Sequence, residues 1–362
     1  MLIPLNDSKM FYKFNKSEID ISVRDLLDNG NFILGENVEK FEEEFSKYCG
    51  STNCIGVGNG TDALEISLLA LGVGKGDYVA CTANAGFYSS SAIISVGAIP
   101  YYIDVTLDRM TMDCESLKSA ISKKTKAVIV THLYGQMAQI KEIVEIAKKN
   151  EIPVIEDCAQ AHGASIEGKK AGTWGDIGCF SFYPTKNLGA LGDAGAILSS
   201  DEILIGKIRR LRQYGWGKKY FVDNQVGKNS RMDEIQAAVL RIKLKSLDFL
   251  NKRRLSIAKN YSKELTQLNI IVPKNFGTDY VAHLYTIRVE NRLEIREKLT
   301  KNGIEYGIYY PISDDQQCYV QKRIMKTKLN NTYSCCKSVI TIPCSPFLSE
   351  NHQMKIISAL KL

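Results

Sequence analysis

Between residues 55 and 200 the chain alternates short apolar runs with stretches whose apolar residues recur every three or four positions. The runs at 78–81, 100–104, 127–132, 153–156, 179–183 and 194–199 predict strands, and 62–71, 88–96, 114–120 and 140–150 predict helices. Strands that alternate with helices imply an α/β fold, with a mostly parallel central sheet and helices on both faces. In such sheets ligands sit beyond the carboxyl ends of the strands, so the chemistry is expected on loops that follow strands. After Arg231 the pattern changes. Ile235, Val239, Ile242, Leu247 and Leu250 fall at the spacing of one long helix, and Ser230-x-x-Asp233 resembles a capping box at its start. From about residue 254, helix mixes with short strands near 270–272, 284–289 and 339–342, which predicts a smaller α+β domain. The expected division is 1–245 for a large domain with an N-terminal arm and 246–362 for a small one.

Composition narrows the class. The chain has 362 residues, 44% hydrophobic and 24% charged, which excludes a disordered or fibrous protein. No apolar run reaches the roughly 18 residues that span a bilayer. The first residues, MLIPLNDSKMFYKF, lack the basic and apolar regions of a secretion signal, so a cytoplasmic protein is expected, with no membrane partner. The ten cysteines contain no C-x-x-C pair and the four histidines are scattered, so no metal site is expected and the thiols read as buried and reduced.

The formal charge of +7 is densest from Lys207 to Arg231. That stretch carries no helix-turn-helix or aromatic RNA-binding pattern, and no nucleic-acid partner is expected. It suits a solvated face or a pocket for an anionic small molecule.

Four separated segments carry candidate chemistry. Gly58-Asn59-Gly60-Thr61-Asp62 is a glycine-rich turn opening a helix, where backbone N–H groups can cradle an anion, although a plain turn and cap would read the same. Asp157 ends an apolar strand and either faces a ligand or caps the next loop. Lys186 follows a buried strand in Phe180-Ser181-Phe182-Tyr183-Pro184-Thr185-Lys186, with Gly192-Asp193-Ala194-Gly195 downstream. A desolvated lysine loses its proton readily and becomes nucleophilic, whereas a surface lysine does neither. The fourth, Val226-Gly227-Lys228-Asn229-Ser230-Arg231, is a polar turn before the long helix. An anion cradle, an acid and a lysine in this order are the three needs of pyridoxal 5'-phosphate: a phosphate seat, a partner for the pyridine nitrogen and an amine for the aldehyde.

The order GNGTDAL, IEDCAQAHG, SFYPTKNLGALGDAG, VGKNSRMDEIQAA resembles the DegT/DnrJ/EryC1/StrS family of pyridoxal-phosphate-dependent nucleotide-sugar aminotransferases, from Phe32-Ile33-Leu34-Gly35 to Ile342-Pro343. The resemblance implies the type I aminotransferase fold and a homodimer with shared active sites. It implies transfer of an amino group from L-glutamate to a nucleotide-linked keto sugar. Lys186 matches the family's catalytic Schiff-base lysine, Asp157 the partner of the pyridine nitrogen, and Gln160 the amide near the ring oxygen O3′. Gly60, Thr61 and Ser181 match phosphate-binding positions, Asn229 a residue that reaches the neighbouring subunit's phosphate, and Phe87 the aromatic stacked on the ring. Lys219, Tyr183, Tyr309 and Tyr310 are the candidates for the nucleotide sugar.

The chain departs from the family pattern at two places. Tyr310-Pro311-Ile312-Ser313-Asp314-Asp315 stands where many members read Tyr-Pro-x-Pro-x-His, and Asn84 to Ser91 is unlike the commoner N-T-F-x-A-T form. These departures favour a 3-keto-6-deoxyhexose on dTDP, with a 4-keto sugar as the alternative. A sugar dehydratase of this fold would carry histidine in place of Lys186, and a non-catalytic regulatory protein would not need the lysine, the acid and the cradle together.

Overall fold

The computed structural model describes residues 2–361 apart from 223–224, 269, 275 and 320–323. Its centre is an eight-stranded sheet in the order Asn53–Val57, Gly195–Ser199, Ile177–Ser181, Val154–Asp157, Thr125–Thr131, Tyr78–Thr82, Ile99–Ile103 and Met325–Lys326. Gly195–Ser199 runs antiparallel to both its neighbours and every other pairing is parallel, as the alternating pattern predicts.

Successive residues of each strand feed two cores. Val128, Val130, Phe180, Ala196 and Leu198 point into one, with Phe41, Phe45 and Ile143 from its helices. Their neighbours Ala127, Ile129, Cys179 and Ile197 point into the other, with Ile66, Ile93 and Ile208. A sheet covered on both faces needs strands that are apolar throughout, which is why these strands read as unbroken runs.

The strand Asn53–Val57 was not among the expected elements, because Asn53 and Gly56 interrupt its apolar character. The expected single long helix is two helices, Glu234–Leu244 and Leu247–Leu265, separated at Lys245 and Ser246. The expected capping box is also absent: Asp233 is the N-cap, and the Ser230 hydroxyl instead donates to Asp62 at 2.6 Å. Glu234, at the first helical position, caps a different helix. Its buried carboxylate accepts the N–H groups of Gly35, Asn37 and Val38 at 2.8, 2.9 and 2.9 Å, at the start of Glu36–Cys49. Two of the sequence segments thus meet for a structural reason.

The C-terminal part holds a three-stranded sheet, Ile270–Ile271, Tyr285–Val289 and Val339–Ile342, packed with helices Arg292–Lys301 and Glu350–Lys361 around Tyr261, Ile287, Leu299 and Ile356. Ile3, near the other end of the chain, belongs to this core, and its N–H donates to Gly303 at 2.8 Å. No helix among the described residues is long and apolar enough to cross a membrane.

Glu234→Ala would strand three backbone donors at one helix start, two of them in buried bonds, and is expected to cost about 3 kcal/mol of stability. Glu234→Gln keeps one acceptor oxygen and should cost less. Urea unfolding checks this order, and an unchanged midpoint for Glu234→Ala would refute it.

Candidate active site

The carboxyl ends of the central strands open into a cleft of about 730 Å³. Asp157 is the last residue of Val154–Asp157, Ser181 of Ile177–Ser181 and Thr131 of Thr125–Thr131, and all three line it. Gly60, Thr61, Gln160, Tyr183 and Lys186 line it too, so seven of the sequence candidates converge on one space: Gly60, Thr61, Asp157, Gln160, Ser181, Tyr183 and Lys186.

The anion cradle is the start of helix Gly60–Ala70. Asn59 is its N-cap, accepting the Asp62 N–H at 2.8 Å, and leaves the preceding N–H groups of the first turn at the cleft wall. Position 60 admits only glycine, since a Cβ there would lie 2.6 Å from the Ser181 Cβ.

Asp157 is buried, and burial pushes its carboxyl above the usual range. It accepts from the Ala159 N–H at 3.1 Å and, more distantly, from the Thr131 hydroxyl at 3.3 Å. A desolvated carboxylate with so few donors is well matched to a cationic N–H partner. Gln160 turns its Oε1 to the Tyr134 N–H at 2.6 Å, which fixes its side chain at the cleft wall.

Lys186 sits in a tight turn, its N–H donating to the Tyr183 carbonyl at 2.8 Å. Burial lowers its pKa to about 8, against the pull of the Asp157 charge. The turn is braced from both sides. Asn187 donates to Asn251 at 2.8 Å and to the Val281 carbonyl at 3.1 Å, and the His283 ring lies 3.0 Å from its Oδ1. On the far side Lys243 donates to the Gly189 carbonyl at 2.6 Å. These groups fit pyridoxal 5'-phosphate: a glycine-only cradle for its phosphate, an under-bonded buried acid for its ring nitrogen and a desolvated amine for its aldehyde.

Five sequence candidates do not line this cleft. Phe87 lies one residue before Tyr88, which does line it and is 51% exposed. Tyr310 stands behind Tyr88, ring centroids 6.1 Å apart, and the Tyr309 carbonyl accepts the Tyr134 hydroxyl. Lys219 is exposed beside the hairpin formed by Trp216–Lys218 and Phe221–Val222, its amine over the Tyr220 ring. Asn229 is exposed, its backbone bridged to Gln213, outside the cleft of its own chain. Asp315 also points elsewhere, taking hydrogen bonds from Ser313, Lys326 and Tyr333 at 2.7, 2.9 and 2.7 Å.

Sequence reasoning missed Thr131, Tyr88 and the role of Lys228. Thr131 reaches the site because its strand pairs with Asp157 in register, which no linear motif reveals. Lys228 donates to Asp62 and Glu65, each at 2.7 Å, at the edge of the cradle. The basic stretch therefore divides: Lys228 faces the cleft, while Arg212 is buried against Glu42 and the Gly56 carbonyl.

One buried cluster, His132, Glu156 and Cys158, has the ligand types of a metal site. Its carboxylate is already committed to the N–H groups of Gly172, Trp174 and Gly175 at 2.9, 2.6 and 2.8 Å. His132 accepts the Ala138 N–H on Nδ1, so its Nε2 carries the proton and donates to Glu156 at 2.9 Å. The cluster secures the loop beside Asp157.

Residues 14–361 match the DegT/DnrJ/EryC1/StrS aminotransferase family. The chain is 36% identical over 362 residues to a dTDP-3-amino-3,4,6-trideoxy-alpha-D-glucose transaminase of Streptomyces venezuelae, covering 99% of this chain and 95% of that protein. It is 39% identical over 364 residues to a dTDP-3-amino-3,6-dideoxy-alpha-D-galactopyranose transaminase of Aneurinibacillus thermoaerophilus, covering 99% of each. The crystal structure of DesV from S. venezuelae in complex with a ketimine intermediate superposes with a TM-score of 0.96 at 36% identity, over 99% of this chain and 98% of that one. With the lysine, the acid and the cradle gathered in one cleft of the same fold, this chain belongs to the DegT/DnrJ/EryC1/StrS family of pyridoxal-phosphate-dependent aminotransferases.

Proposed function

We propose that the protein moves an amino group from L-glutamate to the keto carbon C3 of a 6-deoxyhexose carried on dTDP, working in the cytoplasm as a homodimer. The observation that carries this reading is the meeting of Lys186, Asp157 and the Gly60–Ser181 cradle in one cleft. The position on the sugar rests on the two relatives above, whose names both specify a 3-amino sugar on dTDP.

In this reading Gly60, Thr61 and Ser181 hold the cofactor phosphate, Asp157 holds the ring nitrogen in its protonated form, and Gln160 stands near O3′. The cofactor, when bound, supplies an electron sink for the carbon that loses its proton. Lys186 does the proton work: its free amine would take the proton from the donor Cα and deliver it to C4′ of the cofactor, and in the second half-reaction it would take a proton from C4′ and deliver it to C3 of the sugar. An amine with a pKa near the working pH can both accept and return a proton, which is what burial achieves at Lys186. Asn229, exposed and outside the lining of its own cleft, is the residue we assign to the partner's phosphate, whereas Phe87, also outside the lining, is given no part at the ring. Tyr183, at the cleft, and Lys219, Tyr309 and Tyr310, outside it, are assigned to the sugar nucleotide.

Four measurements test this. Glutamate should convert the bound pyridoxal to the pyridoxamine form, and supplying dTDP-3-keto and dTDP-4-keto-6-deoxyhexoses separately should place the new amine at C3 by NMR. An amine formed only at C4 would overturn the choice of carbon, and no conversion by glutamate would overturn the donor. Cofactor-free protein should recombine with pyridoxal phosphate at a rate that rises with pH and is half-maximal near pH 8. The sign follows from burial favouring the neutral amine: at pH 7.5 about a quarter of Lys186 is unprotonated, against about a thousandth for an ordinary lysine. A rate still climbing tenfold per unit above pH 9 would contradict the depressed value. Gly60→Ala should weaken pyridoxal phosphate binding by at least about tenfold, since the added methyl displaces Ser181 from the cradle; a cofactor titration reads this, and an unchanged affinity would remove the cradle from phosphate binding.

A further inference from the structure

The two sequence departures, at residues 84–91 and 313–315, touch each other. The segment after strand Tyr78–Thr82 turns through Gly86 and Phe87, both left-handed with φ of 81° and 72°, before helix Tyr88–Ser95 begins. Glycine takes that conformation freely, but phenylalanine adopts it only at a steric cost and must be held by its surroundings. Two groups hold it. The ring of Tyr310 lies against Gly86 so closely that a Cβ there would come within 2.5 Å of it. Asp314, 1% exposed, accepts the Phe87 N–H at 3.0 Å and the Ser90 hydroxyl at 2.6 Å, while its own N–H donates to the Ala83 carbonyl at 2.8 Å. The Tyr102 hydroxyl donates to Ser90 at 3.0 Å and completes the clamp.

This clamp reaches the cleft through the turn it holds and through the Tyr310 ring packed behind Tyr88. Ala85 and Tyr88, on either side of the two left-handed residues, both line the cleft. Lys186, Asp157 and the cradle lie on other elements with their own supports. Asp315 is engaged by Lys326, so the neighbouring charge is neutralised separately and Asp314 faces hydroxyl and amide donors. We propose that Asp314 is a positioning residue for the amino-group acceptor: by pinning the Phe87 turn it sets Tyr88 at the place where the keto sugar lies against the cleft wall. The inference rests on the acceptor being a sugar, as proposed above. A hydrophobic residue at 314 could fill the same volume but would leave the Phe87 N–H without its acceptor and release Tyr88.

The test separates the two half-reactions on the holoenzyme. In Asp314→Leu and in the milder Ser90→Ala, the KM for the keto sugar should rise about tenfold. The rate at which glutamate converts the bound cofactor, followed by absorbance, should stay within about twofold of wild type, since that step uses groups outside the clamp. Asp314→Asn, which keeps an acceptor for the Phe87 N–H, should restore most of the lost KM, and Tyr88→Ala should reproduce the defect. Amide hydrogen exchange over residues 84–90 of the ligand-free holoenzyme should quicken in Asp314→Leu. Equal losses in both half-reactions, or an unchanged sugar KM despite faster exchange, would overturn the proposal. A wild-type enzyme that glutamate does not convert would count against the proposed donor, and unchanged exchange in Asp314→Leu would then still refute the clamp.

Discussion

The burial of the Lys186 amine across the cleft from Asp157 is the constraint on which the rest of the structure depends. Burial acts on both groups in the direction that disfavours charge, lowering the lysine and raising the acid, and their mutual attraction only partly opposes it. Such a pair is stable only if neither side chain can swing out to water. The chain meets that condition by placing the acid on the last residue of a strand inside the sheet and the lysine in a turn closed by its own backbone. Asn187, Asn251, His283 and Lys243 then lock that turn, and three of the four come from the part of the chain beyond residue 242. The C-terminal segment therefore contributes to the lysine's environment although none of its described residues lines the cleft.

Several of the chain's buried charges serve the same end through backbone donors. Glu156 takes three N–H groups and the His132 ring, and Glu234 takes three N–H groups from another helix. A carboxylate satisfied in this way is inexpensive to bury and rigid once buried, because every donor it holds is fixed by secondary structure. Glu156 lies next to Asp157 in sequence and points to the opposite side of the strand, as alternation requires. One acid of the pair anchors the loop behind the site while the other is left short of donors in the cleft. That difference, more than residue type, is why we assign the ring nitrogen to Asp157 rather than to Glu156.

The same contrast runs through the aromatic and basic residues. Tyr88 and Tyr183 stand half-exposed at the cleft, whereas Tyr310 packs behind Tyr88 and Tyr309 takes a hydrogen bond from Tyr134. Arg212 is spent on Glu42 and the Gly56 carbonyl, and Lys228, sixteen residues later, reaches the edge of the anion cradle. Asn229 and Lys219, exposed on the adjoining turn and hairpin, do not line their own cleft.

The alternating architecture, and the gathering of Gly60, Asp157, Ser181 and Lys186 at one rim of the sheet, were already legible in the linear chain. Apolar runs had to become strands buried on two faces, and residues ending those runs had to emerge at one rim, which is why Asp157, Ser181 and Lys186 were legible as a set. The glycine at 60 was legible as a close approach, though what it approaches was not. Tertiary structure alone decided everything that depends on pairing between distant segments. Thr131 joined the site through strand register, the helix after Arg231 broke at Ser246, and Ser230 bonded Asp62 instead of closing a capping box. Tyr88, and not Phe87, faces the cleft because Asp314 and Tyr310, more than two hundred residues away, hold the intervening turn left-handed. Local spacing fixes which side of a strand or helix a residue occupies. Which of two neighbours in a turn faces a ligand is set by contacts that the linear chain does not display.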